Sequence, residues 1–139
     1  DSVLPDETTH AVLAWHFGFC KVPCWFDEGI AVLSEPKNSI KKHCRHLIAF
    51  DQKGDLFALK ELMEMNDYPP QRIRHFYAQS VSITDFLSKE RGPLVLTQFV
   101  RDGFKEGYEI SLKSHYGWSF AELETNWRKF MVKKQKEDP

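Results

Sequence analysis

Asp6, Glu7 and His10 have the spacing of a metal site carried by a single helix. Positions i and i+4 of a helix lie on one face, so the side chains of Asp6 and His10 point the same way, with Glu7 beside them. A carboxylate and an imidazole placed in this way can bind a divalent cation, and the glutamate can activate a bound water molecule. The alternative is a solvated acidic first turn, which the helix dipole favours.

A third ligand is offered by Glu28, in the segment that runs from Trp25 to Gly29. A metal site with two ligands on one helix needs a carboxylate from a helix packed against it, and two helices joined by a short loop become antiparallel neighbours. Gly29 has no Cβ and would let the two backbones approach closely. The alternative is that Trp25 and Ile30 belong to an ordinary core face and that Glu28 is solvated.

The elements that must position these residues are helices. Apolar residues recur with helical spacing, and no run alternates with the period of a strand. Ser2 can cap a first helix, Pro36 ends a second, and Ser119 with Glu122 forms a capping box before the last. The predicted fold class is mainly α, a single domain over 1–139 with seven to eight helices. These are expected at 3–16, 25–35, 40–50, 56–65, 71–89, 94–102, 108–116 and 119–133.

Two of these helices have a predicted face. On the long helix over 71–89, one side carries Ile73, Phe76, Tyr77, Ser80, Ile83 and Leu87. On the last helix, the predicted buried stripe consists of Leu123, Trp127, Phe130 and Met131. The charged tail that begins at Lys133 is expected to fray.

Composition excludes several classes of protein. The 139 residues are 42% hydrophobic and 28% charged, which is typical of a globular chain. A formal net charge of −1 argues against a nucleic-acid partner, which would require a basic surplus. No apolar run is long enough for a membrane span, and no signal peptide is visible. Because the chain begins with Asp1, we expect an upstream segment of a longer parent chain to be missing.

The metal-site residues and their neighbours resemble the gluzincin zinc metallopeptidases. More narrowly, the order LPDExxH, a loop with VP, and WxxEGxA is similar to an uncharacterised bacterial family of peptidase-MA-like domains. A segment from Tyr77 to Ser80 and the ending around Trp118 also resemble that family. The matching residues of the metal region are Leu4, Pro5, Glu7, His10, Pro23, Trp25, Glu28, Gly29 and Ala31.

The resemblance implies a role for each of these positions. His10 and Glu28 would be Zn²⁺ ligands, Glu7 the general base, and Tyr77 a stabiliser of the oxyanion. The helix over 3–16 would be the active-site helix, 25–35 the third-ligand helix and 39–133 the C-terminal helical part, with the N-terminal sheet of the family absent or truncated. The substrate would be a peptide or protein, and the compartment extracytoplasmic. The alternative for Tyr77 is a core tyrosine whose hydroxyl has a partner.

Asp6 stands where the family pattern has a histidine. An aspartate is shorter than a histidine, and a second carboxylate makes the site nearly neutral, so a bound cation would polarise a carbonyl less. A carboxylate-rich site also suits harder ions such as Mn²⁺. Three states follow: a weakened zinc peptidase, a site for another metal, or a metal-free pseudopeptidase that serves as a helical binding module.

Other clusters offer competing chemistry. Cys20, Cys24 and Cys44, with His43 or His46, have a spacing that a structural zinc site accepts, and free thiols are the alternative. The basic edge formed by Lys41, Lys42, Arg45 and His46 is interpreted as a solvated helix face. His16, His75 and His115 have no partner that the sequence identifies.

Overall fold

Seven helices and no strand are found in the part of the chain that the computed structural model describes, residues 22–33 and 37–137. The mainly α fold class is therefore confirmed, while the predicted helix over 3–16 lies outside the described residues. In chain order the helices are α1 Cys24–Leu33, α2 Lys37–Gln52, α3 Leu59–Glu64, α4 Ile73–Arg91, α5 Pro93–Glu106, α6 Tyr108–Tyr116 and α7 Phe120–Glu137.

The long helix α4 lies at the centre of this arrangement. It is contacted by α1, α2, α5 and α7, and Phe76 and every residue from 78 to 88 are buried. The residues predicted on one side of this helix are buried or half-buried, and the opposite side is buried as well. A helix that has neighbours all round buries its polar positions along with its apolar ones.

Two of the buried polar side chains of α4 form hydrogen bonds that hold them in the interior. The indole Nε1 of Trp127 on α7 donates to the Ser82 hydroxyl at 2.9 Å. Thr84 Oγ1 donates to the Ser80 carbonyl one turn earlier at 2.7 Å. Polar positions that look like a solvated face in the sequence thus belong to the interior.

Several helix boundaries differ from the prediction by a few residues; α5, for example, continues to Glu106, where the prediction ended at 102. α2 begins at Lys37, before the predicted cap at Ser39. α3 is shorter than predicted. The backbone N–H and carbonyl of Phe57 form hydrogen bonds with the Gln79 side chain, and Ala58 has an extended backbone, so the helix begins only after them. α7 continues to Glu137, past the predicted fraying point, and Lys134 on its last turns forms an ion pair with Asp85 of α4.

Helices α5 and α6 are each flanked by glycines at both ends. Gly107 separates α5 from α6 with a φ of 95°, and Gly117 ends α6 in the left-handed region with a φ of 75°. Such φ values strain residues that carry a Cβ. The predicted capping box follows: the Ser119 hydroxyl accepts from the Glu122 N–H at 3.2 Å, and the Ser119 N–H donates to the Glu122 carboxylate at 3.1 Å.

Among the described residues, no helix is both long enough and apolar enough to cross a membrane.

Candidate functional site

Glu28 is the one predicted metal ligand that lies in the described residues; Asp6, the base Glu7 and His10 all lie outside them. Helix α1 fixes the position of Glu28, because two aromatic side chains from the first turn of the helix are anchored in the core. Trp25 is fully buried, with its ring edge-on to Tyr108 of α6 at a centroid distance of 6.5 Å. Phe26 is also buried. Glu28 itself is half-buried, so its carboxylate stands at the border between core and solvent.

Gly29 brings α1 and α4 into close approach. A Cβ placed on Gly29 would lie 2.1 Å from Thr84 Oγ1 and 3.0 Å from the Ser80 carbonyl oxygen. The sequence predicted a close approach at this glycine, and the neighbour seen in the described residues is α4. The predicted approach of Gly29 to the helix over 3–16 concerns residues outside the described part of the chain. Glu28, the residue before Gly29, is thus fixed relative to α4.

Tyr77, the predicted oxyanion stabiliser, lies half-buried near the start of α4. Its ring is edge-on to that of Tyr68, with centroids 6.2 Å apart. Tyr68 precedes α4 and is also edge-on to Phe76, at 5.4 Å. Two phenols therefore lie side by side at this end of the helix. The same ring is edge-on to Phe76 at 6.3 Å, so Tyr77 also contributes to the aromatic packing expected of a core tyrosine.

The pKa of the Tyr68 phenol is raised above its ordinary value. Burial is the main cause, and the charges of Asp27, Cys24 and Glu28 and the neighbouring Tyr77 add to it in that order, to give a pKa of about 12. The phenol therefore keeps its proton at neutral pH and can donate a hydrogen bond. Its side chain remains 39% exposed, so a ligand can reach it.

Sequence reasoning missed Tyr68. It stands before two prolines in a connection with no helical period, and nothing local indicates that the charge of Glu28 acts on it. A donor phenol within electrostatic range of a carboxylate is a useful pair for acyl chemistry. The carboxylate can hold a cation, and the phenol can donate to an oxygen that becomes negatively charged.

The competing zinc site is only partly within the described residues. Cys24 is buried, and its Sγ donates to the Asn66 carbonyl at 3.3 Å. His46 is exposed, with its ring 6.3 Å from that of Phe50. Cys20 and the side chains of His43 and Cys44 lie outside the description. Within residues 22–33 and 37–137, no group of three or more His, Cys, Asp and Glu side chains has the geometry to hold a metal ion.

His75 and His115, for which the sequence identified no partner, contact other side chains in the structure. His115 Nε2 lies 2.8 Å from Asp102 Oδ2, across the α5–α6 contact. His75 stacks on Phe50 with ring centroids 3.8 Å apart and lies 3.8 Å from the Asp55 carboxylate. These contacts join elements that are distant in sequence, so we assign both histidines to the packing of the fold.

The remaining predicted cluster, the basic edge of α2, is partly described. Arg45 and His46 are exposed, as expected of a solvated face. The side chains of Lys41 and Lys42 lie outside the description.

Comparisons of the chain with protein-family models, with curated proteins and with solved structures found no match.

Proposed function

We propose that this chain is a metal-dependent, peptidase-like domain in which Glu28 and His10 bind a divalent cation, Zn²⁺ or Mn²⁺. The observation that carries the proposal is the half-buried carboxylate of Glu28 on an anchored helix, with the protonated phenol of Tyr68 in electrostatic range. The motif around Glu7 and His10 supplies the rest of the argument. Carboxylate and imidazole are a donor set that suits either cation.

Each residue has a distinct task in this proposal. A cation held by His10 and Glu28 would supply Lewis acidity to the peptide carbonyl and to a water ligand. Glu7 would accept a proton from the attacking water and pass it to the leaving amine. Tyr68 and Tyr77 would donate to the oxygen that becomes negatively charged. Asp6 either binds the cation as a third ligand or does not bind it, in which case His10 and Glu28 are the two ligands from this chain.

Asp6 favours a second candidate, a catalytically inactive pseudopeptidase that acts as a helical binding module. The aspartate is shorter than a histidine. It also places a negative charge where the motif of the gluzincins, which this chain resembles, has a neutral histidine ligand. Both changes weaken zinc-promoted hydrolysis. Glu7 favours the first candidate, because a general base contributes nothing to a hydrophobic core.

The metal content of the purified protein, measured by elemental mass spectrometry, tests both candidates. We would compare the parent with Asp6→His, His10→Ala and Glu28→Gln. Asp27→Asn is the matched control, because Asp27 is the exposed neighbour of Glu28. Near-stoichiometric Zn²⁺ or Mn²⁺ in the parent and in Asp27→Asn, lost in His10→Ala and in Glu28→Gln, supports the metal site.

Other outcomes separate the two candidates. An empty parent with a zinc-loaded Asp6→His variant supports the inactive module. An empty parent and an empty Asp6→His variant contradict the metal site altogether. Where the parent is loaded, hydrolysis of a peptide library by the parent and by Tyr68→Phe tests the role of the phenol. We expect Tyr68→Phe to lower kcat at unchanged metal content.

A further inference from the structure

A buried carboxylate on α4 is shared by two lysines. Asp85 is only 1% exposed, and its Oδ2 lies 3.3 Å from Lys89 Nζ and 3.1 Å from Lys134 Nζ. Lys89 also approaches the other oxygen, Oδ1, at 3.2 Å. Two ammonium groups from α4 and α7 thus meet at one oxygen.

Both lysines also lie against an aromatic ring. The Nζ atoms of Lys89 and Lys134 are 5.7 and 5.8 Å from the centroid of the Phe130 ring. The Lys134 side chain is 17% exposed, and that of Lys89 is 46% exposed. Lys134 therefore occupies the inner position of the cluster, and Lys89 is the lysine that a small molecule in solution can reach.

These surroundings make the Lys89 ammonium easier to deprotonate than that of a fully solvated lysine. An adjacent positive charge and partial removal from water both disfavour an ammonium, and this is a recognised way to activate a lysine as a nucleophile. Partial burial lowers the pKa of Lys89, the neighbouring Lys134 lowers it further, and Asp85 opposes both. Asp85 interacts with Lys134 as well as with Lys89. The carboxylate therefore stabilises the Lys89 ammonium less than it would if Lys89 were its sole partner.

We propose that Lys89 is a nucleophilic amine that forms imines with small apolar aldehydes, with Lys134 as the activating charge and Phe130 as an apolar wall. The neutral Lys89 nitrogen forms a bond to the carbonyl carbon, and a proton moves from nitrogen to oxygen to give a carbinolamine. Loss of water then leaves the C=N bond. This site is independent of the proposed metal site, and the step needs no oxidant or reductant.

Reductive trapping with propanal and cyanoborohydride tests the proposal. The hydride converts the imine into a stable secondary amine, which peptide mass spectrometry locates. Lys129, an exposed lysine on α7, serves as the internal reference. We expect the initial trapping rate at Lys89 to exceed that at Lys129 several-fold at mildly alkaline pH. We also expect the rate at Lys89 to reach half of its maximum at a lower pH than the rate at Lys129.

Two variants separate activation by Lys134 from simple exposure. Lys134→Met removes the neighbouring charge and should reduce the rate at Lys89 to that at Lys129, whereas Lys134→Arg keeps the charge and should preserve the faster rate. Equal rates at Lys89 and Lys129 in the parent would overturn the proposal, whether or not the variants fold. A fast Lys89 in a folded Lys134→Met protein would overturn the role of Lys134.

Discussion

The side-chain amide of Gln79 forms two hydrogen bonds with the backbone of Phe57, 22 positions earlier in the chain. The Phe57 N–H donates to Gln79 Oε1 at 3.0 Å, and Gln79 Nε2 donates to the Phe57 carbonyl at 2.6 Å. Gln79 is fully buried on α4. It therefore fixes the extended segment before α3 against the central helix, where the Arg72 guanidinium also lies over the Phe57 ring at 4.0 Å.

We expect Gln79→Met to lower the free energy of unfolding by about 2–4 kcal/mol. Methionine has a similar volume but leaves the buried N–H and carbonyl of Phe57 without partners, and each such group costs about 1–3 kcal/mol. Urea denaturation followed by circular dichroism measures the change. Gln71→Met, at an exposed position just before α4, is the matched control and should differ little from the parent. Equal stability of the two variants would contradict this prediction.

Gly29→Ala should also destabilise the protein, by about 1–3 kcal/mol, as overpacking of a close contact does. The direction is informative, because alanine is a better helix former than glycine by about 1 kcal/mol. The new Cβ would lie 2.1 Å from Thr84 Oγ1, so α1 and α4 must separate. Ala31→Gly, at an exposed position of α1, isolates the propensity effect. A higher melting temperature for Gly29→Ala would show that the helices can move apart at no cost.

The Asp102–His115 pair should make stability depend on pH. The hydrogen bond from His115 is the main reason that the pKa of Asp102 is lowered, with Arg101 assisting and burial opposing. A lowered carboxyl pKa stabilises the fold above the ordinary value of 3.8, and this contribution is lost as the pH falls through the folded-state value. Asp102→Asn should therefore cost about 0.5–1 kcal/mol near neutral pH.

Denaturation curves at pH 6 and pH 3 would check this sign. The difference between the parent and Asp102→Asn should be smaller at the lower pH. Glu106→Gln, an exposed charge change on the same helix α5, provides the control. A difference that grows on acidification would rule out the assigned role of Asp102.

The electrostatic link between Tyr68 and Glu28 is open to direct titration. Negative charges disfavour a phenolate, so removing one should lower the pKa of Tyr68 from about 12. We expect a larger decrease for Asp27→Asn than for Glu28→Gln, in the order of their contributions. NMR of tyrosines labelled at Cζ, assigned with Tyr68→Phe, measures both values. Glu61→Gln on α3 should leave the titration unchanged, and an unshifted Tyr68 in Glu28→Gln would place the carboxylate too far away for the proposed site.

Local cues predicted the helices well where those cues are strong. Both ends of α6 were predicted, because glycines stand directly outside Tyr108 and Tyr116. The capping box at Ser119 was predicted from residue types alone, and its hydrogen bonds are present. These signals act within a few residues, so a sequence displays them directly.

Features that depend on distant parts of the chain were not predictable. Periodicity assigns one buried face to a helix, and so it missed the burial of Ser82 and Asp85 on a helix surrounded by others. It gave no hint that Asp102 would meet His115 or that the charge of Glu28 would act on Tyr68. For the candidate site, the sequence predicted Glu28, Tyr77 and the close approach at Gly29, and the fold added the second phenol and showed that α4 is the helix that Gly29 approaches.

The central position of α4 has a thermodynamic consequence. Tyr77 lies near its start and Lys89 near its end, a separation of about 18 Å at the rise of an α-helix. Sites this far apart that share no side chain are expected to be energetically uncoupled. The double variant Tyr77→Phe with Lys89→Met should therefore show the sum of the two single effects, and each half of the molecule can be altered without disturbing measurements on the other.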